Sequence, residues 1–194
     1  MNQTAALDEL NFIKNIISES RRSFALNGKP YIFWGILIVV GLLLESFREL
    51  KFFDFNYMYF FWILLVGIGW VFAYLNSRKH KKETKTKTFA AKIVGAIWLA
   101  CGISMTIFGF LGTISGAIKG IYVSPVLCLV LAIAYFVTGV VYDYRWQRNL
   151  SIGWWAGAVF MFFYPSVYTN LIMAFMMITL QILPGIFLLS EVKK

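Results

Sequence analysis

The chain has 194 residues, of which 60% are apolar, 19% aromatic and only 14% charged, far from the about 45–50% apolar and about 25% charged of an ordinary soluble domain. The length allows one domain, and an exterior facing lipid explains the apolar excess better than a large core does. The net charge of +9 does not argue for nucleic acid, because the cations sit in short gaps between apolar runs, where they set membrane topology.

Residues 5–27 read as an amphipathic helix. Leu7, Leu10, Ile13, Ile17 and Phe24 recur at helical spacings with Ile16 beside them. Asp8 and Glu9 in the first turn and Arg21 and Arg22 in the last complement the helix dipole. Asn27-Gly28 offers a left-handed cap, and Pro30 forbids continuation. Such a helix is expected to lie on the inner membrane surface or beneath a bundle. The mostly polar stretch 1–30 has neither the apolar core nor the cleavage site of a signal peptide. Asn2 in place of glycine excludes myristoylation.

Six apolar segments follow, at about 31–48, 57–76, 89–111, 121–142, 149–164 and 167–189. Crossing about 30 Å of hydrocarbon takes about 20 helical residues. The fifth segment is short, unless it begins near Trp146 or tucks its Tyr164-Pro165-Ser166 turn into the interface. The charges nevertheless demand an even number of crossings. Of the 18 basic residues, all but Arg48, Lys51 and Lys119 fall on one side of a six-span arrangement. The positive-inside rule then puts both termini in the cytoplasm. Tyr31, Trp34, Tyr74, Tyr142, Tyr144 and Trp146 would form the inner aromatic belt, and Tyr57, Tyr59, Trp62, Tyr122, Tyr164 and Tyr168 the outer one. Odd-numbered spans carry tryptophan beside glycine, as in Trp34-Gly35, Gly95 with Trp98, and Gly153-Trp154-Trp155. Even-numbered spans run to a late glycine at Gly69, Gly139 and Gly185. The fold expected is therefore all-α: a membrane bundle of six spans arranged as three hairpins, 31–189, between a cytoplasmic helix and cap at 1–30 and a tail at 190–194.

Catalytic patterns are missing: there is no GxSxG, HExxH, GxxxxGKS/T or CxxC. Ser104 and Ser115 have no histidine to serve as base, and the lone His80 lies in a basic loop. No catalytic, cofactor-binding or metal-ligating residue is assigned, and no enzyme activity is expected. Cys101 and Cys128 sit alone within apolar runs and read as packing residues. Glu45, Glu49 and Asp54 cluster with Arg48 and Lys51 at the outer end of the first hairpin, where a solvated tip outweighs a proton relay. Gly112, Gly116 and Gly120 form either a close-packing stripe or a flexible turn; Gly153 and Gly157 form a second such pair.

Two sets of weak candidates remain. Arg21, Arg22, Arg78, Lys79, Lys81 and Lys82 could contact anionic lipid head groups or a protein partner, each near an anionic leaflet contributing about 1 kcal/mol. Interleaved aromatics for base stacking are missing from the basic run, so nucleic acid is not an expected partner. Gln181, three residues before Pro184, could line a polar cavity with Thr179, Thr138 and Ser104, or simply tie helices together. The second reading is favoured, at about 0.6 kcal/mol for an average interhelical bond.

The stretch Ser20-Arg21, Asn27-Gly28, Tyr31, Trp34-Gly35 resembles the opening of a group of small bacterial inner-membrane proteins. The likeness continues through Lys87, Gly95, Ile97-Trp98, Gly102-Ile103 and Ile182-Leu183-Pro184-Gly185. More distantly, the three Trp/Gly hairpins look like acid-stress membrane proteins of the HdeD type. These resemblances imply a multi-pass protein of the bacterial inner membrane and no particular chemistry. The functional expectation is a stress-related, regulatory or partner- and lipid-binding module, whose partners are membrane lipids and a protein partner or further copies of the chain. A small channel or carrier for a neutral or apolar solute is the alternative.

Overall fold

The computed structural model describes residues 28–52, 57–83 and 89–192, the side chains of 80–83 and 191–192 excepted. The amphipathic helix expected at 5–27, with Arg21 and Arg22, lies outside the described residues. Within them every regular element is helical. In chain order these are α1 (Gly28–Glu49), α2 (Met58–Glu83), α3 (Phe89–Ile114), α4 (Val123–Val141), α5 (Arg145–Phe163) and α6 (169–192). Five helices, all but α5, are long and apolar enough to cross a membrane.

Local chemistry sets the ends. The described part of α1 begins at Gly28 and is helical through Pro30, so the helix includes residues before the boundary at 31; Asn27, half of the expected cap, lies outside the described residues. Lys51 adopts a left-handed conformation (φ 61°) that stops α1. The N–H of Lys51 donates to the Arg48 carbonyl and that of Phe52 to the Phe47 carbonyl, both at 3.0 Å. The rings of Phe47 and Phe52 close the motif at 5.7 Å. Asp143 (φ 53°) does the same for α4, with Tyr144 N–H donating to the Gly139 carbonyl at 2.9 Å. One residue later α5 begins. It starts at Arg145 rather than 149, so the apolar segment was legible but its polar first turn was not.

Two helices widen into π turns. In α3 the turn covers Ile107–Leu111, and in α6 it covers Ile178–Ile182, immediately before Pro184. The Leu183 N–H reaches back five residues to the Ile178 carbonyl, so the proline's missing donor is absorbed by a bulge in α6.

Contacts between glycines, indoles and backbones set the helices against one another. Trp34 lies on Gly69 and Trp62 on Gly41, which sets α2 against α1. Trp98 meets Thr138, setting α3 against α4, and Gly139 meets the Arg148 backbone, setting α4 against α5. Gly153 and Gly157 receive Leu180 and Met176, setting α5 against α6. The helix with which α1 packs most extensively is α6, not its hairpin neighbour α2. A Cβ on Gly28 would lie 2.6 Å from the Gly185 carbonyl oxygen, and one on Gly185 would lie 2.9 Å from Tyr31 Cβ, so these backbones approach as only glycines permit.

Burial separates a centre from a periphery. Half of α4's apolar stretch is buried, 44% of α6's and 39% of α1's, but only 11% of α2's and 6% of α3's. Helix α5 contributes its own buried stripe, Gln147, Ser151, Trp154, Ala158 and Met161, at alternating steps of four and three. The core therefore lies among α1, α4, α5 and α6, with α3 beside it. Helix α2 is held outside by indole rings seated on glycines: Trp34 on Gly69, Trp62 on Gly41 and Trp70 on Gly102. Outward faces stay apolar, with Ile63, Leu64, Leu99, Phe160 and Phe175 all exposed, as lipid requires and water does not.

Candidate functional site

The polar residues of the described chain gather in three places: the core and the two ends. In the core, Tyr31, Trp98 and Tyr135 pack edge to face, their ring centroids 5.3–5.6 Å apart, the geometry aromatic quadrupoles favour. Trp154 joins at 5.8 Å from Tyr135. Polar bonds thread this aromatic group. Gln147 Nε2 donates to the Tyr31 hydroxyl at 3.0 Å, and Trp98 Nε1 donates to Thr138 Oγ1 at 3.0 Å. The Thr138 hydroxyl in turn donates to the Ala134 carbonyl at 2.6 Å. Gln181 Nε2 donates to the Tyr31 carbonyl at 3.3 Å. That bond runs between helices and offers the amide as the link between α6 and α1.

Of the four residues expected to share a path, Gln181 and Thr138 both join this cluster and are buried. Thr179 does not: its hydroxyl donates to the Phe175 and Met176 carbonyls of its own helix. Ser104 lies half-buried on α3, apart from the bonded cluster. Sequence reasoning missed Gln147, Tyr135 and Trp154, and it placed Tyr31 and Tyr142 in the inner belt, whereas both are buried. The heptad-like spacing of Gln147, Ser151, Trp154, Ala158 and Met161 carried the missing signal.

One end of the bundle gathers exposed cations: Lys29, Arg78, Lys79, Lys92, Arg145 and Arg148. Lys81 and Lys82 continue the same helix end, their side chains beyond the described atoms. None of the six pairs with a described carboxylate, since the ion pair found among the described residues joins Arg48 and Glu45. The Arg78 guanidinium lies 4.7 Å over the Tyr74 ring, which fixes its direction without neutralising it.

The opposite end mixes the carboxylates of Glu45 and Glu49 with the cations Arg48, Lys51 and Lys119. Glu45 accepts from Arg48 and from Trp62 Nε1, the latter at 3.2 Å, so it fastens α2 to α1 in addition to pairing as the helical spacing foretold. Asn170 donates to Glu49 at 3.2 Å and accepts from Ser124 at 2.9 Å. A shallow cavity of about 210 Å³ lies beside Glu49, Ser166, Thr169 and Asn170. The glycine series resolves into two different things. Gly116 is left-handed (φ 73°) and, like Gly120, has open space where a Cβ would be, so that series is a turn. Gly153 and Gly157 do make a close helix contact. Cys128 is buried with its Sγ 3.1 Å from the Met173 sulfur, and Cys101 is half-buried. Among the described residues no group of histidines, cysteines or carboxylates could hold a metal ion. Compared with known protein families, with curated proteins and with solved structures, the chain matches none.

Proposed function

We propose that this chain is a six-span protein of the bacterial inner membrane, with both termini cytoplasmic, that acts by binding rather than by catalysis. Its ligand is an anionic lipid surface, on which a protein partner docks. The observation that carries this reading is the exposed basic end, where six described cations lack a carboxylate partner. Cations beside hydrocarbon-facing helices attract phosphate head groups, at about 1 kcal/mol each. The alternation of helix directions gathers these residues at one end and supports an even number of crossings. The basic residues then face the cytoplasm, as the positive-inside rule demands. Helix α5, whose first turn carries Arg145 and Arg148, crosses as the fifth span, its apolar length completed by neighbouring helices.

The competing channel or carrier would need a wet path past Gln181, Thr179, Thr138 and Ser104. Trp154, Tyr135, Met161 and Met173 fill the middle of the bundle instead. The test is lipid retention by native mass spectrometry of protein released from nanodiscs. Phosphatidylglycerol is expected to be retained in preference to phosphatidylcholine. Replacing Arg78, Lys79, Lys81 and Lys82 together by serine should abolish that preference. Equal retention by both forms would reject lipid binding at this end. For the partner, deleting residues 1–27 should remove associated protein without preventing insertion. Association that survives the deletion would reject that segment's role.

A further inference from the structure

Four buried polar atoms in the core have no hydrogen-bond partner among the described residues: the Tyr135 hydroxyl, Gln147 Oε1, Trp154 Nε1 and Gln181 Oε1. The first three residues are 0% exposed and Gln181 is 4% exposed. They come from α4, α5 and α6, yet all are grouped about Tyr31 of α1. Gln147 and Gln181 are bonded to its hydroxyl and its carbonyl, the Tyr135 ring lies 5.5 Å from its ring, and Trp154 lies 5.8 Å beyond Tyr135. Isolated polar atoms are strongly disfavoured away from water, and more so in a bundle surrounded by hydrocarbon.

We propose that this cluster is a binding site for internal water, with one or a few molecules bridging α4, α5 and α6 around Tyr31. The chemistry of the four atoms selects that ligand. Two amide oxygens can only accept, the indole N–H can only donate, and the phenol can do either. Water, which gives two hydrogen bonds and takes two, can serve the acceptors, the donor and the phenol alike. The set carries no formal charge with which to hold an ion. The touching rings of Tyr31, Trp98 and Tyr135 leave no slot between them for a planar or larger solute. The site uses side chains other than the cations assigned to lipid binding, although Gln147 adjoins Arg148 and Trp154 follows it by six residues in α5.

Magnetic resonance of the ¹⁵N-tryptophan-labelled full chain in nanodiscs tests this. The Trp154 indole signal is identified by its loss in Trp154→Phe or, should that variant not fold, by elimination using the other six of the 7 tryptophans. Cross-relaxation from water to the Trp154 indole proton is expected in spite of its complete burial. Its absence overturns the proposal. A second measurement uses Tyr135→Phe, which removes a single hydroxyl. In a hydrated cluster the change deprives water of a partner and lowers the unfolding temperature in detergent. In a dry cluster it deletes a costly orphan, so an unchanged or raised unfolding temperature overturns the proposal as well.

Discussion

Two glycines on α2, Gly67 and Gly69, differ by two positions and by almost everything around them. A methyl added at Gly69 would fall inside the ring of Trp34, whereas one at Gly67 would meet nothing within 4 Å. Gly67→Ala and Gly69→Ala both gain helix propensity, about 0.8–1.0 kcal/mol on soluble scales, so this gain cancels in their difference. What remains is the steric cost of displacing the indole. Trp34 also meets Trp70 edge to face at 6.4 Å, so it cannot retreat without disturbing the next contact. Overpacking of this kind costs about 1–3 kcal/mol. Gly69→Ala is therefore expected to be less stable than Gly67→Ala by about that amount, and Gly67→Ala to be neutral or slightly stabilised. The assay is reversible unfolding in mixed micelles followed by tryptophan fluorescence. Variants equal within about 0.5 kcal/mol would refute the claim that indole-on-glycine contacts fasten α2 to the bundle.

Other expectations follow from the same geometry. Thr138→Val strips the acceptor from Trp98 Nε1 and should destabilise the bundle by about 1–3 kcal/mol, while Thr138→Ser, which keeps the hydroxyl, should cost less; equal losses in the unfolding assay would sink the assignment. Asp143→Gly should be tolerated or stabilising and Asp143→Val should cost about 1–2 kcal/mol, because the residue is left-handed at φ 53°; thermal unfolding of both variants checks the order. N-ethylmaleimide in mild detergent should modify half-buried Cys101 well before buried Cys128, with peptide mass spectrometry locating the adduct; simultaneous labelling would contradict the packing of α4. In a cysteine-free background, an impermeant maleimide added outside cells should reach Val167→Cys and not Asp143→Cys; labelling of both from one side would show that α5 does not cross.

The helical architecture was readable because lipid demands long apolar runs and water between them demands charge. That logic located α1, α3, α4 and α6 to within a few residues, whereas α2 runs past the expected end at 76 to Glu83. It was weakest for α5, where Gln147 and Ser151 interrupt the apolar run for the sake of the core. Hydropathy counts such residues as polar, and only their periodicity reveals that they point inward. Tyr31 illustrates the complementary error. A tyrosine two residues past the end of a polar stretch looks like an interfacial anchor, yet its hydroxyl is claimed by Gln147, 116 positions away. No local signal announces a bond of that range. The close approach of Gly28 to Gly185 was a third feature without a local signal, because the partner backbone lies at the far end of the chain. The polar candidates fared unevenly for the same cause. Gln181 was found as a conspicuous amide in a span, while Gln147, close to charged residues and ahead of the apolar segment at 149–164, was not singled out.

The clasp between α1 and α6 has a consequence for how the chain is made. A ribosome delivers α1 well before α6, so the glycine face of α1 at Gly28 and Gly35 must wait for the intervening helices to be synthesised. The bond from Gln181 to Tyr31 spans 150 positions, and contacts of such separation form late because the intervening loop must close before they contribute. Until then α4 and α5, joined by a turn of three residues at 142–144, have each other, while α1 has the indole contacts of α2 and those of Tyr31 with Trp98, Tyr135 and Gln147. The indoles on Gly41 and Gly69 thus act before the Gly28–Gly185 contact exists, fastening α1 to the next helix made until α6 arrives on its other side.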